Sequence, residues 1–220
     1  MKVTVVPVTP FQQNCSIVVC EHTGACAVID PGGDVERIEA ALSELGGRLQ
    51  MVLLTHGHLD HAAGAAALSA RFEVPVVGPH LDDAFLLEKL GEQGARYGLA
   101  GAAPVVPDRW LVDGDTVEVG DLILDVLHCP GHTPGHLVFF EKQSRFAIVG
   151  DVLFRGSVGR TDLPRGSFPQ LVASIRGKLW PLGEDVTFLP GHGDTSTFGW
   201  ERKCNPFVAD LALDGVSEVP

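Results

Sequence analysis

The chain has no Cys-x-x-Cys pair, no Gly-x-Ser-x-Gly elbow and no apolar run long enough to span a bilayer. A zinc ribbon, a serine hydrolase elbow and a membrane span are therefore excluded. Its five cysteines (Cys15, Cys20, Cys26, Cys129, Cys204) are odd in number and lack the spacing of a disulfide framework. Each is expected to be a small buried hydrophobe in a reduced protein. Residues Met1 to Val8 are too short and too interrupted by Thr and Pro for a secretory h-region, so the expected location is cytoplasmic. Positive charge is scarce: 16 basic residues face 28 acidic ones, a formal net charge of −12. A phosphate backbone or an anionic bilayer is repelled on average, so neither nucleic acid nor membrane is expected as partner. Arg155, Arg160 and Arg165 form the only dense basic cluster.

With 220 residues, 45% of them hydrophobic, the chain can bury a substantial core. A single domain over residues 1–220 is expected, without internal repeats. Valine-rich strands are expected at Lys2–Val8, Ser16–Val19 and Ala25–Ile29, as an antiparallel meander closed by Asp30-Pro31-Gly32-Gly33. A helix from about Asp34 keeps three-and-four apolar spacing through Val35, Ile38, Leu42 and Leu45 until Gly46-Gly47. Met51–Leu54 reads as a strand buried on both faces, Ala62–Phe72 as a helix, Val74–Val77 as a strand and His80–Leu90 as a helix. Gly91–Pro107 reads as a loop-rich connection. Further strands are expected at Thr116–Val119, Leu122–Leu127, His136–Phe140, Phe146–Val149 and Val186–Leu189. A turn-rich loop covers Phe154–Gly166, and a helix with Leu171, Ile175 and Leu179 inward starts at a Ser167/Gln170 capping box.

Each apolar strand delivers a polar cluster just beyond its end. The densest is Thr55-His56-Gly57-His58-Leu59-Asp60-His61, an H-x-H-x-D-H pattern with four metal-ligand side chains in six residues. Alternation aims His56 and His58 the same way in an extended segment, while Asp60 and His61 leave a helix start in other directions. That divergence suits two neighbouring metals. His132, Asp151 and His192 follow three later strands in the same manner. His22, His80, His128 and His136 lack such company and are expected to be surface or hydrogen-bonded core histidines.

The H-x-H-x-D-H motif, together with Cys129-Pro130-Gly131-His132-Thr133-Pro134-Gly135-His136, Gly150-Asp151 and Gly191-His192, resembles the metallo-β-lactamase superfamily in motif order and spacing. Through Gly159-Arg160-Thr161-Asp162, Ser196-Thr197-Phe198-Gly199 and Asn205-Pro206-Phe207 the chain is similar to the compact, single-domain glyoxalase II-like hydrolases. The resemblance implies an α/β fold, an αββα four-layer sandwich. It implies that His56, His58 and His132 ligate one metal, that Asp60, His61 and His192 ligate a second, and that Asp151 bridges them. Two divalent ions per chain are expected, zinc first, with iron or manganese also compatible with such ligands.

A water shared by two cations roughly 3.5–4 Å apart is acidified toward about pH 7 and becomes the nucleophile, with Asp60 and Asp151 as catalytic carboxylates. A thiol leaves as thiolate at a pKa near about 8.5 without a general acid, which favours a thioester over an amide. The resemblance points to hydrolysis of S-D-lactoylglutathione to D-lactate and glutathione. In two-domain glyoxalase II enzymes a carboxyl-terminal helical domain helps to hold glutathione; residues 193–220 are too few to form it. Arg160 is the expected substrate-binding residue, with an ion pair to Asp162 as the competing role. Arg155 and Arg165 are expected to be solvated, and Tyr97 is tied to nothing. Alternatives are a mononuclear iron persulfide dioxygenase, a lactonase or esterase, a true β-lactamase, and a metal-stabilised scaffold without turnover.

Overall fold

The computed structural model describes residues 1–210; the part of the expected single domain covering 211–220 lies outside them. In chain order the first half runs β1 (Lys2–Val8), β2 (Gln13–Val19), β3 (Ala25–Ile29), α1 (Val35–Leu45), β4 (Arg48–Leu53), α2 (Leu59–Ala62), α3 (Ala65–Phe72), β5 (Val76–Val77), α4 (Ala84–Leu87) and α5 (Leu90–Tyr97). The second half has β6 (Thr116–Val119), β7 (Leu122–His128), β8 (Leu137–Glu141), β9 (Phe146–Gly150), β10 (Leu153–Phe154), β11 (Ser157–Val158), α6 (Phe168–Ser174), β12 (Thr187–Pro190), β13 (Ser196–Thr197) and α7 (Phe198–Cys204).

The strands form one sheet ordered β1-β2-β3-β4-β5, a second ordered β13-β12-β9-β8-β7-β6, and the small hairpin β10-β11. Side chains alternate across a strand, so a strand buried on both faces feeds two cores. Ile17, Val19, Val28 and Val52 pack outward against Ile38 and Leu42 of α1 and Leu68 of α3. Their neighbours Val18, Ala27, Ile29 and Leu53 turn inward and meet Leu124, Val126, Leu137, Phe139 and Ile148 of the other sheet. Val138, Phe140, Ala147 and Val149 then face Leu171, Ile175 and Leu179 on the far side. Three cores between four layers make an αββα sandwich.

The strand directions carry the site. β3, β4 and β5 are mutually parallel, as are β9 and β12, while β8 is antiparallel to both β7 and β9. The carboxyl ends of β4, β7, β9 and β12 therefore deliver His56, His132, Asp151 and His192 toward the seam between the sheets. Main-chain bonds pin that seam: Asn14 N donates to Gly191 O at 2.7 Å and Leu137 N to Thr55 O at 2.8 Å.

Several expectations need correction. The Ala62–Phe72 helix is broken into α2 and α3, because Gly64 N donates to Pro31 O at 2.8 Å and a Cβ at Gly64 would lie 2.7 Å from that carbonyl. His80–Leu90 is a short 3₁₀ turn, Leu81–Asp83, followed by the single turn of α4. Within Gly91–Pro107 the chain forms α5, since Gly94 does not break the helix but lets it close on Ala102, whose Cβ would be 2.4 Å from a Cβ at 94. Ser167 caps nothing with its side chain; its N–H donates to Gly131 O at 2.7 Å. The helix it starts continues as a π-turn, Ile175–Leu179, with the expected buried stripe. The hairpin β10-β11 occupies part of the expected loop, and Val74–Val77 is strand only at β5. The cysteines are free, and Cys204 is exposed where a buried side chain was expected.

Candidate metal centre

His56 and His58 leave the end of β4 two residues apart and converge with His132 from the β7–β8 connection. His56 Nε2 lies 3.1 Å from His58 Nδ1, which lies 2.9 Å from His132 Nε2. Outer partners set the tautomers. Thr55 Oγ1 donates to Asp30 Oδ2 at 2.6 Å, so at 3.0 Å it accepts from His56 Nδ1–H. His132 Nδ1–H donates to Arg160 O at 2.7 Å. Two of the three inward nitrogens thus carry lone pairs, and a single proton on His58 cannot satisfy both.

The second cluster has the same construction. His61, buried, donates Nδ1–H to Asp30 Oδ2 at 2.9 Å, turning Nε2 inward to 3.4 Å from Asp151 Oδ1. His192 donates Nδ1–H to Phe11 O at 3.2 Å, turning Nε2 to 3.2 Å from Asp60 Oδ2. Asp151 stands between the clusters, with Oδ2 3.6 Å from His132 Nε2 and 3.8 Å from His192 Nε2. His61 Nε2 and Asp151 Oδ1 are buried without a hydrogen-bond partner. Buried polar atoms are rarely left so, and an all-nitrogen, all-oxygen set of this kind fits one cation on each side of a shared carboxylate.

Electrostatics separate the two halves. Burial, then the neighbouring imidazoles, holds His56 well below the ordinary histidine range, and burial lowers His58 to about 3. His132 is also lowered by burial. These rings are thereby kept in the neutral form that metal ligation requires. For His61 burial is outweighed by Asp151 and Asp60, which push it well up; for His192 it is outweighed by the Asp60 hydrogen bond and Asp151. Asp151 is held far below the carboxylate range, burial being outweighed by His61, His132 and His192. Asp60 is lowered the same way, mainly by His61.

The profile described as Metallo-beta-lactamase superfamily matches residues 8–192, which contain all seven of these side chains. The chain belongs to the metallo-beta-lactamase superfamily. A superfamily relative named hydroxyacylglutathione hydrolase GloC, from Haemophilus influenzae, is 45% identical over 209 residues, 94% of this chain and 98% of that one. The crystal structure of BLEG-1 B3 metallo-beta-lactamase is similar at 32% identity and a TM-score of 0.86, covering 94% of this chain and 99% of that one. TTHA1623, solved in a di-iron-bound form, is 36% identical with a TM-score of 0.84, over 93% and 100%. The chain is thus a metallohydrolase of this superfamily, and its His/Asp clusters have the makings of metal sites.

Sequence reasoning missed the residues that aim the ligands. Asp30, which reads as a turn residue, is 2% exposed and also accepts from Thr55 N at 2.7 Å. Its signal is an acid at the end of an all-buried strand. His136 is the expected core histidine, but its Nε2 accepts from Asp151 N at 3.0 Å, and Nδ1 has no partner. His80 and His128 stack at 4.3 Å with backbone partners, and exposed His22 pairs with Asp121, as expected of histidines outside the site.

The centre opens into a cavity of about 1230 Å³ whose lining includes Phe11, Tyr97, Phe154, Arg155, Arg160 and Arg165. Tyr97, Arg155 and Arg165 line its wall; both arginines are exposed, as the sequence reading expects, while nothing in the sequence ties Tyr97 to the site. The Arg160 guanidinium forms the ion pair with Asp162, two contacts of 2.8 Å, at 63% exposure.

Proposed function

We propose that this superfamily member hydrolyses a small thioester, S-D-lactoylglutathione first among candidates, releasing D-lactate and glutathione. The observation that carries the reading is the convergence of two His/Asp clusters on one buried carboxylate, Asp151, at the floor of an open cavity. In this reading His56, His58 and His132 hold one divalent cation, Asp60, His61 and His192 hold another, and Asp151 joins both. Zinc is the first choice, with iron or manganese as alternatives. When bound, such a pair supplies Lewis acidity and a water acidified toward about pH 7.

The chain's own residues do the rest. Asp60, with its side chain 24% exposed, is the carboxylate best placed to orient a water. Phe11, Leu59 and Phe154 wall the approach and limit bulk water around the acyl group. The thiol departs as thiolate, so no proton donor is required on the leaving side. Arg160 is proposed to take a substrate carboxylate in place of Asp162, because an exposed, solvent-screened pair is held only weakly. The five free cysteines and a glutathione thioester both suit a reducing cytoplasm. The acidic balance of the chain argues against a nucleic-acid partner, and among the described residues no helix is long and apolar enough to cross a membrane. The reading treats residues 1–220 as one catalytic domain.

The test is elemental analysis of the purified protein together with a thioester panel. Two divalent ions per chain and rapid turnover of S-D-lactoylglutathione are expected. One iron per chain with oxygen uptake dependent on glutathione persulfide would replace hydrolysis by sulfur oxidation. Faster turnover of a lactone or a β-lactam than of any thioester would move the reading to those substrates. Asp151→Ala is expected to abolish turnover and lower metal content; near-normal rates in that variant are incompatible with the proposed centre. Arg160→Ala is expected to raise KM for S-D-lactoylglutathione, and an unchanged KM removes Arg160 from substrate binding.

A further inference from the structure

The cavity is larger than a lactoyl group needs, and its outer wall has a charge opposite to that of the chain. Of the 16 basic residues in a protein of net charge −12, Lys89, Arg96, Arg155, Arg160 and Arg165 line it. Arg160 and Arg155 have carboxylate partners, Asp162 at 2.8 Å and Asp194 at 3.5 Å. Lys89, Arg96 and Arg165 have none within ion-pairing distance among the described residues. Away from the metal centre the only acids on the lining are Glu92 and Asp194.

The cations are placed by structure rather than scattered. Lys89 caps α5, and Lys89, Glu92, Gln93 and Arg96 follow three-and-four spacing along one helical face, all on the cavity. The opposite face, Leu90 and Gly94, is buried against the body of the protein. Arg165 comes from the facing loop, where its backbone has φ +65, a conformation uncommon for a side-chain-bearing residue. Its guanidinium lies 4.1 Å over the ring of Phe85, which orients the plane and leaves the N–H edge free.

We infer that α5 and Arg165 form an anion-recognition subsite that holds the thiol half of the substrate through its acidic groups while the acyl half reaches Asp60 and Asp151. This rests on the thioester reading above and names the substrate class more narrowly: a thioester of a multiply anionic carrier thiol. Carboxylates of a peptide thiol and phosphates of a nucleotide thiol share this chemistry. Glu92, beside Lys89, suits an ammonium on the same carrier and so leans toward the peptide.

The test compares kcat/KM for the lactoyl thioesters of glutathione, of coenzyme A and of an uncharged short thiol. The charge-reversal pair Lys89→Glu with Arg165→Glu is expected to lower the ratio of anionic to neutral thioester about tenfold or more, chiefly through KM. Lys89→Gln with Arg165→Gln should lower it less and serves if the first pair folds poorly. Lys142→Glu, outside the cavity beside Asp125 at 2.8 Å, alters net charge and should leave the ratio unchanged. Which anionic thioester responds more identifies the carrier. An unaltered ratio in both pairs, or an equal fall with Lys142→Glu, overturns the subsite while leaving thioester hydrolysis standing. If the wild-type protein cleaves no thioester, the functional reading fails instead. The subsite is then judged by calorimetry with S-methylglutathione and coenzyme A, where wild-type binding weakened by salt and by the paired substitutions supports it and absence of binding removes it.

Discussion

Asp30 touches no proposed substrate, yet it governs two rings of the centre. Its Oδ2 takes the hydroxyl of Thr55, which in turn receives His56 Nδ1–H, and it takes His61 Nδ1–H directly. Outer partners of this kind fix tautomer and raise ligand basicity, and losing one typically costs 10–100-fold in metal affinity. Asp30→Ala is therefore expected to weaken binding of zinc by about that factor; a competitive chelator titration matching wild type would show that the ring orientations hold without it. The proposed ligands themselves were legible because His56, His58, Asp60 and His61 are crowded into one motif, and because His132, Asp151 and His192 each follow an apolar strand. Asp30 and His136 were not. Their roles arise from tertiary neighbours 25 and 15 residues away; an acid at the end of a buried strand is the one local sign of Asp30, and nothing in its local sequence separates His136 from a core histidine.

Asp83, at the end of a 3₁₀ turn between β5 and α4, ties two ligand-bearing loops together. Its carboxylate accepts from Gly57 N at 2.9 Å, Thr133 Oγ1 at 2.7 Å and Gly135 N at 2.6 Å. Burial pushes it up to about 6, against these donors, which favour the ionised form. Asp83→Ala leaves three inward donors without an acceptor and is expected to cost on the order of 3 kcal/mol in urea unfolding; a loss below about 0.5 kcal/mol would mean that the loops hold themselves. The helix α5 teaches a different lesson. A glycine inside a periodic stretch usually weakens a helix by about 1 kcal/mol, so the segment reads as loop. In the fold, Gly94 is where the backbone meets Ala102. Gly94→Ala gains propensity but forces that contact apart, and a net destabilisation of about 1–3 kcal/mol is expected. Equal or greater stability on denaturation would place the loop farther from the helix than described here.

The strands β1, β2, β3 and β9 were legible as apolar runs, whereas the pairing of β9 with β12 across an intervening helix was not. Parallel partners are set by the layered packing, and no local pattern encodes them. The two sheets contribute unequally to the centre: His56, His58, Asp60 and His61 follow β4, while His132, Asp151 and His192 follow strands of the second sheet. Cations bound there would clamp the sheets together. Since a ligand that binds only the folded state stabilises it by mass action, chelation is expected to lower Tm and restored zinc to raise it again, with a shift that grows with free metal. A Tm indifferent to chelator would separate the cluster from the stability of the sandwich. The ligand positions also run from residue 56 to residue 192 of a 220-residue chain. A nascent polypeptide leaving the ribosome lacks its final proposed donor until residue 192 has been added. In the proposed centre, loading of both cations is thereby deferred until the second sheet has been synthesised, after the first has had time to assemble.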